Sequence, residues 1–63
     1  MCMWVKVMIE QGRTQVWLAE KLQVNPVTVN HWWNNRRPMP DKIKPEIAQL
    51  LGYLVSILFP DGR

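Results

Sequence analysis

Residues 25–38 read N-P-V-T-V-N-H-W-W-N-N-R-R-P, and the first two of them mark the start of a helix. Asn25 is a good helix N-cap, because its side-chain oxygen can accept a hydrogen bond from an amide of the first turn. Pro26 falls at the first helical position, where its missing N–H costs nothing and its fixed φ suits a helix. We therefore predict a helix over about residues 26–35.

This helix is predicted to have two different faces. Val29, Trp32 and Trp33 follow the i, i+3, i+4 spacing of a buried face. The outward residues are short, neutral and able to hydrogen-bond or to pack: Val27, Thr28, Asn30, His31 and Asn34. Solvated surface helices usually carry Glu and Lys there, so this face is a candidate reader of DNA base edges. An ordinary polar surface helix is the alternative.

Size and composition limit what the chain can do. Its 63 residues make at most one domain, over 1–63, with a core expected over about 4–59. With 48% hydrophobic residues it should fold into a globule, although it is too short to hold a deep substrate cleft as well. With one small core, the free energy of unfolding is expected to be only a few kcal/mol.

The small numbers of cysteine and histidine residues and the short apolar runs exclude several kinds of site. A single cysteine, Cys2, allows no intramolecular disulfide, and one Cys with one His cannot form a zinc cluster. We expect a reducing compartment, no metal and no cofactor. The apolar start, residues 1–9, lacks a basic region and a cleavage site, and no apolar run could span a membrane. The expected location is the cytoplasm, with no membrane partner.

Positive charge is concentrated around the central stretch. Between residues 13 and 44 there are six basic residues and two acidic ones, in a chain of net charge +3. The basic residues are Arg13, Lys21, Arg36, Arg37, Lys42 and Lys44, and the acidic ones are Glu20 and Asp41. This distribution is expected for a surface that faces phosphates.

Two helices are predicted before the central one. The first has an apolar face at Trp4, Val5, Met8 and Ile9 and ends at Gly12 as a left-handed C-cap. Alternating β-branched residues leave a short strand as the alternative.

The second helix runs from its N-cap Thr14 through Leu22, and its apolar set is Trp17 or Leu18, Ala19 and Leu22. The three-residue link to Asn25 favours a helix-turn-helix, in which Gln23 takes a positive φ and Val24 fills the corner.

The second half of the chain predicts two more helices. Two prolines keep residues 36–40 extended. The fourth helix starts either at Asp41 with a distorted first turn or at Pro45 with Lys44 as its cap. Its apolar stripe is Ile43, Ile47, Leu50 and Leu51, and Gly52 can close it. A last helix of one or two turns is predicted from Val55.

Taken together, these patterns resemble the lambda-repressor-like, Cro-type helix-turn-helix family of DNA-binding domains. The resemblance rests on the Thr14-Gln15-x-x-Leu18-Ala19-Glu20-Lys21-Leu22-x-Val24-Asn25 run, on Thr28-Val29-Asn30-x-Trp32-x-Asn34, and on Arg36-Arg37-Pro38. The later Ile47-Ala48-x-x-Leu51-Gly52-x-x-Val55-x-x-Leu58-Phe59 resembles the family's fourth and fifth helices. The whole resemblance covers about residues 4–59. It implies a compact all-α domain of five helices, with the third helix in the major groove.

The resemblance also assigns roles to residues. Gln15 matches the family's phosphate-contacting glutamine, and Asn34, Arg36 and Arg37 match the loop that grips flanking phosphates. Asn25, Val27 and Thr28 lie at the start of the reading helix, one turn before Asn30 and His31. Two departures are the replacement of the turn glycine by Gln23 and the presence of Trp33 and Asn35 where the family often has an acidic residue and a glycine.

The chemistry of the side chains supports these roles. An asparagine such as Asn30 can pair with adenine, His31 can donate to guanine or to a phosphate, and Val27 can contact a thymine methyl. We therefore predict base contacts by Asn25, Val27, Thr28, Asn30 and His31, and phosphate contacts by Arg13, Gln15, Asn34, Arg36 and Arg37. The alternative for His31 and the arginines is a solvated side chain. The alternative for Val27 is packing against Pro26, and that for Thr28 is a phosphate contact or reinforcement of the first turn. Trp32 is expected in the core, whereas Trp33 could be half-buried, lie against the DNA backbone or contact a partner subunit.

The predicted function is sequence-specific binding of double-stranded DNA by a small transcriptional regulator of a prokaryote or phage. A homodimer on a pseudo-palindromic site is expected, with residues 54–59 either as its interface or as simple core closure. The alternative is a protein-interaction module on the same fold, such as an antitoxin or a phage regulatory adaptor. We expect no enzyme activity and no small-molecule ligand, because no clustered catalytic groups are present.

Overall fold

The computed structural model describes residues 3–60, which form five helices and no strand. The helices are α1 Met3–Glu10, α2 Gln15–Leu22, α3 Pro26–Trp33, α4 Ile43–Leu51 and α5 Val55–Leu58. The all-α class and the number of helices are therefore confirmed for this part of the chain. Cys2 and the rest of residues 1–2 and 61–63 lie outside the described residues.

The helices are too short to be stable alone, since the longest, α4, has nine residues. Their stability comes from one shared core to which all five contribute. The buried apolar residues are Trp4, Val5, Val7, Met8, Leu18, Ala19, Val29, Trp32, Ile43, Ile47, Ala48, Leu51, Leu58 and Phe59. α2 packs directly on α3, while α4 contacts α1, α2 and α5.

The first four helices all end with the same arrangement of backbone hydrogen bonds. A residue with positive φ follows each helix, namely Gly12, Gln23, Asn35 and Gly52. Its N–H donates to the carbonyl three residues back, and the N–H of the next residue donates to the carbonyl five residues back. This is the Schellman motif, which pairs carbonyls that would otherwise lack a partner at a helix end. The C-caps predicted at Gly12 and Gly52 are confirmed.

Two of these four positions are not glycine. Gln23 and Asn35 both have a φ of 58°, a conformation that costs a side-chain-bearing residue about 1–2 kcal/mol, and less for asparagine. The positive φ predicted for Gln23 is therefore confirmed. Asn35 takes the positive φ that follows α3. The helix ends at Trp33 with Asn34 as its C-cap, so the predicted extension to residue 35 was wrong.

The first helix is confirmed over the strand alternative, but its predicted buried face was partly wrong. Val7 is buried, whereas Ile9 is 53% exposed. α1 packs against both α4 and α5, so it needs a broad apolar face. Trp4, Val5, Val7 and Met8 together form that face, and Ile9 lies beyond its edge.

The start of α4 differs from both predicted alternatives. The helix begins at Ile43, whose N–H donates to the carbonyl of Pro40 at 3.0 Å. Lys42 is its N-cap without a side-chain bond, and Pro45 is the third helical residue. A proline is tolerated there because the first-turn N–H groups have no acceptor within the helix.

Lys44 is buried instead of capping the helix. Its side chain is 7% exposed and its Nζ lies 3.2 Å from Oδ1 of Asp41, a residue whose own side chain is 91% exposed. The same Nζ lies 5.5 Å from the centre of the Phe59 ring, within the range of a cation–π contact. The lysine therefore joins the start of α4 to the residue that follows α5.

Replacing Gln23 with glycine should stabilise the protein by about 0.5–1 kcal/mol. Glycine removes the cost of the positive φ but gives back part of the gain by adding freedom to the unfolded chain. The midpoint of urea unfolding measures the change. Gly12→Ala is the matched control and should cost about 1 kcal/mol, because no atom lies within 4 Å of the added Cβ and only the φ of 71° opposes it. A lower midpoint for Gln23→Gly would contradict this account.

Candidate nucleic-acid interface

The corner between α2 and α3 positions the candidate site. The two helices are joined by three residues, 23–25, and pack directly on each other. Leu18 and Ala19 of α2 and Val29 of α3 are almost completely buried, and Val24 packs against this core from the corner, as predicted. A small residue such as Ala19 permits the close approach of the two helices.

Both helices carry the side-chain caps that the sequence predicted. Oγ1 of Thr14 accepts from the N–H of Trp17 at 3.0 Å, and Oδ1 of Asn25 accepts from the N–H of Val27 at 2.8 Å. These bonds fix the first turns of α2 and α3. The cap also occupies the oxygen of Asn25, which leaves its Nδ2 hydrogens as the groups able to contact a base or a phosphate.

One face of α3 is buried and the opposite face is open to solvent. Val29 and Trp32 form the buried face, while Val27 is 60% exposed and Asn34 is exposed. The remaining predicted base-contact residues of this helix are half-buried: Thr28, Asn30 and His31. The outward face therefore has the uncharged, hydrogen-bonding character that was predicted.

A hydrogen bond between two amide side chains connects the predicted phosphate-contacting residue with the predicted base reader. Nδ2 of Asn30 donates to Oε1 of Gln15 at 3.1 Å, across the interface of α2 and α3. Sequence reasoning missed this contact, since it joins residues 15 positions apart. It leaves Oδ1 and one amide hydrogen of Asn30 free, together with both amide hydrogens of Gln15.

The amide of Asn34 folds back on its own helix. Its Nδ2 donates to the carbonyl of Asn30 at 3.0 Å, as a second bond to an oxygen that already accepts from the backbone N–H of Asn34. One amide hydrogen and Oδ1 remain available. A contact from Asn34 to a phosphate therefore has a single side-chain donor to use.

Three arginines flank the two helices. Arg13, Arg36 and Arg37 are all exposed, and among residues 3–60 the only ion pair joins Lys44 to Asp41. The guanidinium of Arg13 lies 4.4 Å from the centre of the Trp17 ring. Stacking on the ring restricts the side chain, while the N–H groups at the edge of the guanidinium stay free for an anion.

The structure places Trp33 against the core. Its ring meets that of Trp4 edge-to-face, with centroids 5.7 Å apart and an angle of 84° between the planes. The residue is half-buried, so the first of the three positions considered for it is the one observed. The contact ties the end of α3 to α1, in a geometry that aromatic pairs favour.

The segment around α5 both closes the core and exposes an apolar surface. Leu58 and Phe59 are buried, as core closure requires. The four exposed apolar residues nearby are Tyr53, Leu54, Val55 and Ile57, with Leu54 exposed to 70%. We call these four residues the α5 patch. Val55 and Ile57 belong to α5, and Tyr53 and Leu54 directly precede it, so the four residues lie close together along the chain.

Residues 3–60 were also compared with the requirements of a metal site, a small-molecule site and a membrane span. No group of three or more His, Cys, Asp and Glu side chains there could hold a metal ion. A shallow groove between α2 and α4, lined by Lys21, Leu22, Glu46, Gln49 and Leu50, has a volume of about 180 Å³, which is below the usual size of a small-molecule site. None of the described helices has the length and apolar character needed to cross a membrane.

Comparison of the chain with known proteins gives no relative that would indicate a function. No protein-family model, no curated protein and no solved structure matches the chain. The function has to be inferred from the corner of α2 and α3, the open face of α3 and the three arginines.

Proposed function

We propose that this chain is a small transcriptional regulator that binds specific sequences of double-stranded DNA. In this proposal α2 and α3 form a helix-turn-helix of the lambda-repressor-like type, with α3 in the major groove. The observation that carries the proposal is the open face of α3, which is uncharged and rich in hydrogen-bonding groups, although the surrounding chain is basic. With eight residues, α3 is about 12 Å long, a size that the major groove accommodates.

The bond between Gln15 and Asn30 suits a division of labour between the two amides. Oδ1 and the remaining amide hydrogen of Asn30 match N6 and N7 of adenine, which offer one donor and one acceptor. The Nε2 hydrogens of Gln15 stay free to donate to a phosphate oxygen at the start of α2, where the helix dipole also favours an anion. A base contact by Asn30 and a phosphate contact by Gln15 would therefore each hold the other side chain in position.

In this proposal the three arginines hold the DNA backbone. Arg36 and Arg37 follow the end of α3, and Arg13 precedes the start of α2. None of them has a carboxylate within ion-pair distance among the described residues, so binding a phosphate would not require breaking an existing salt bridge. Thr28, Asn25 and Val27 extend the proposed contacts along the first turn of α3.

A single copy would read few base pairs, so useful specificity calls for two. We propose that two copies bind a pseudo-palindromic site with half-sites about 34 Å apart, one turn of the duplex. The α5 patch supports this part of the proposal, because its four exposed apolar residues would lose contact with water in an interface between two copies. Binding to DNA in a prokaryotic or phage-infected cell would place the protein in the cytoplasm.

The same patch favours a second candidate function, a protein-interaction module such as an antitoxin or a phage adaptor. In this candidate the α5 patch would dock a different protein and α3 would contact no duplex. The position of Trp33 counts against a partner site on α3 itself, because its half-buried ring already packs on Trp4.

The test of the proposed function is selection of bound duplexes from a random pool, followed by titration of the winner at several salt concentrations. The expected results are a selected sequence with two related half-sites and an affinity that falls steeply as salt rises. Absence of binding at low salt, or an affinity independent of salt, would overturn the proposal. Absence of binding together with a stoichiometric complex with a different protein would establish the second candidate.

Asn30→Ala should weaken binding to the selected duplex by about 1–3 kcal/mol and binding to random duplex very little. The substitution removes the groups that match adenine together with the bond to Gln15, while the three arginines that hold the backbone in this proposal are unchanged. Fluorescence anisotropy on both duplexes measures the difference. Gln49→Ala, at an exposed position on α4, is the matched control and should change neither affinity. Equal losses on the two duplexes would show that Asn30 does not read bases.

Arg36→Ala should weaken binding to selected and random duplexes alike. Loss of one phosphate contact should reduce the slope of log K against log salt by about one unit. The control is Lys6→Ala, which removes the same charge from an exposed position on α1 and should leave the slope nearly unchanged. If both variants changed the slope equally, the arginine would act only through net charge.

A further inference from the structure

His31 has one ring nitrogen that the rest of the site leaves unexplained. The residue is half-buried on the outward side of α3, next to Asn30. Its Nδ1 is buried and makes no hydrogen bond to any described residue. Nε2 is not among the buried atoms that lack a partner, and it forms no bond to a described side chain or backbone group. Nε2 is therefore the nitrogen that remains for a ligand.

The burial of Nδ1 determines where the imidazole carries its proton. A neutral imidazole has one N–H donor and one lone-pair acceptor, and either nitrogen can hold the hydrogen. A buried N–H without an acceptor is rarer in proteins than a buried acceptor without a donor. The form with its hydrogen on Nε2 avoids the rarer arrangement. Its exposed nitrogen is then a hydrogen-bond donor only.

We propose that His31 is a specificity-determining residue that presents an Nε2–H donor and selects a hydrogen-bond acceptor on a base edge. The inference rests on the proposed function and adds to it the kind of group that His31 recognises. The acceptors in the major groove are N7 of either purine, O6 of guanine and O4 of thymine. The amino groups of adenine and cytosine would face a second donor and would be rejected at this position.

The position of His31 beside Asn30 sharpens the expected pattern. Asn30 has both a free acceptor and a free hydrogen, since it gives only one hydrogen to Gln15. It can therefore read an edge with a donor and an acceptor, whereas His31 reads an acceptor alone. The two neighbouring residues would impose different requirements on the bases that they meet.

The first part of the test uses the free protein and needs no DNA. Long-range ¹H–¹⁵N correlation spectra of the ¹⁵N-labelled chain at pH 8, where a free imidazole is neutral, distinguish the two tautomers of His31. The expected result is a protonated Nε2 and an unprotonated Nδ1. A proton on Nδ1, or a rapid average of the two forms, would overturn the proposal whether or not the protein binds DNA.

The second part locates the acceptor in the duplex obtained by selection. Each purine is replaced in turn by its 7-deaza analogue, and each carbonyl acceptor by 6-thioguanine or 4-thiothymine. We expect one replacement to weaken binding of the natural chain by roughly three- to ten-fold, the worth of one hydrogen bond. The same replacement should leave the affinity of His31→Ala unchanged.

Other outcomes would contradict the proposal. If no base analogue discriminated between the natural chain and His31→Ala, His31 would not read a base. If a methylphosphonate at one backbone position gave the differential loss instead, His31 would contact a phosphate. Far-UV circular dichroism of His31→Ala checks that the helices persist. Failure to bind any duplex would reject the proposed function itself, while the tautomer result would still stand.

Discussion

Burial of Val29 and Trp32 fixes the orientation of α3, and the rest of the interface depends on that orientation. Burying two such side chains contributes several kcal/mol, on the order of 1.5–3 for each, and so outweighs the weak preferences of the outward face. Trp33 adds an edge-to-face contact with Trp4 of α1. This contact opposes rotation of α3 about its own axis. With one side held in the core, Val27, Asn30 and His31 have to lie on the other.

The ends of the helices show how a short chain turns this packing into defined geometry. Four helices end in the same hydrogen-bonded motif, and at Gln23 and Asn35 the chain accepts a strained backbone to form it. Both strained residues border α3, one before its N-cap and one after its C-cap. The strain is therefore located where the direction of α3, and of the arginines that follow it, is set.

The local features of this fold could be predicted from the sequence, because their causes are local. Thr14 and Asn25 were expected as caps and are caps, and α5 starts at Val55 as expected. The wrong predictions share a different cause. Ile9 was placed in the core because its spacing allowed it, but the position of α4 and α5 around α1 selected Val7. The start of α4 depended on a turn from Pro40 to Ile43 that no periodicity reveals.

The candidate site was predictable to a similar depth. Helical spacing alone indicated which residues of α3 face outward, and the structure places them there. The contacts among them were not predictable, since the bond between Gln15 and Asn30 and the stack of Arg13 on Trp17 depend on side-chain positions. The burial of Nδ1 in His31 likewise has no signature in the sequence. The residue types and their helical spacing predict which side chains form the outward face of α3. The hydrogen bonds among those side chains can be found only in the three-dimensional structure.

The proposed contact between the outward face of α3 and duplex DNA can be mapped by amide chemical shifts. Spectra of the ¹⁵N-labelled chain are compared with and without a selected duplex. We expect the largest changes at Val27, Asn30, His31 and Gln15, with little change at Lys6 and Glu10 on the exposed side of α1. Changes confined to the α5 patch, or no changes at all, would contradict it.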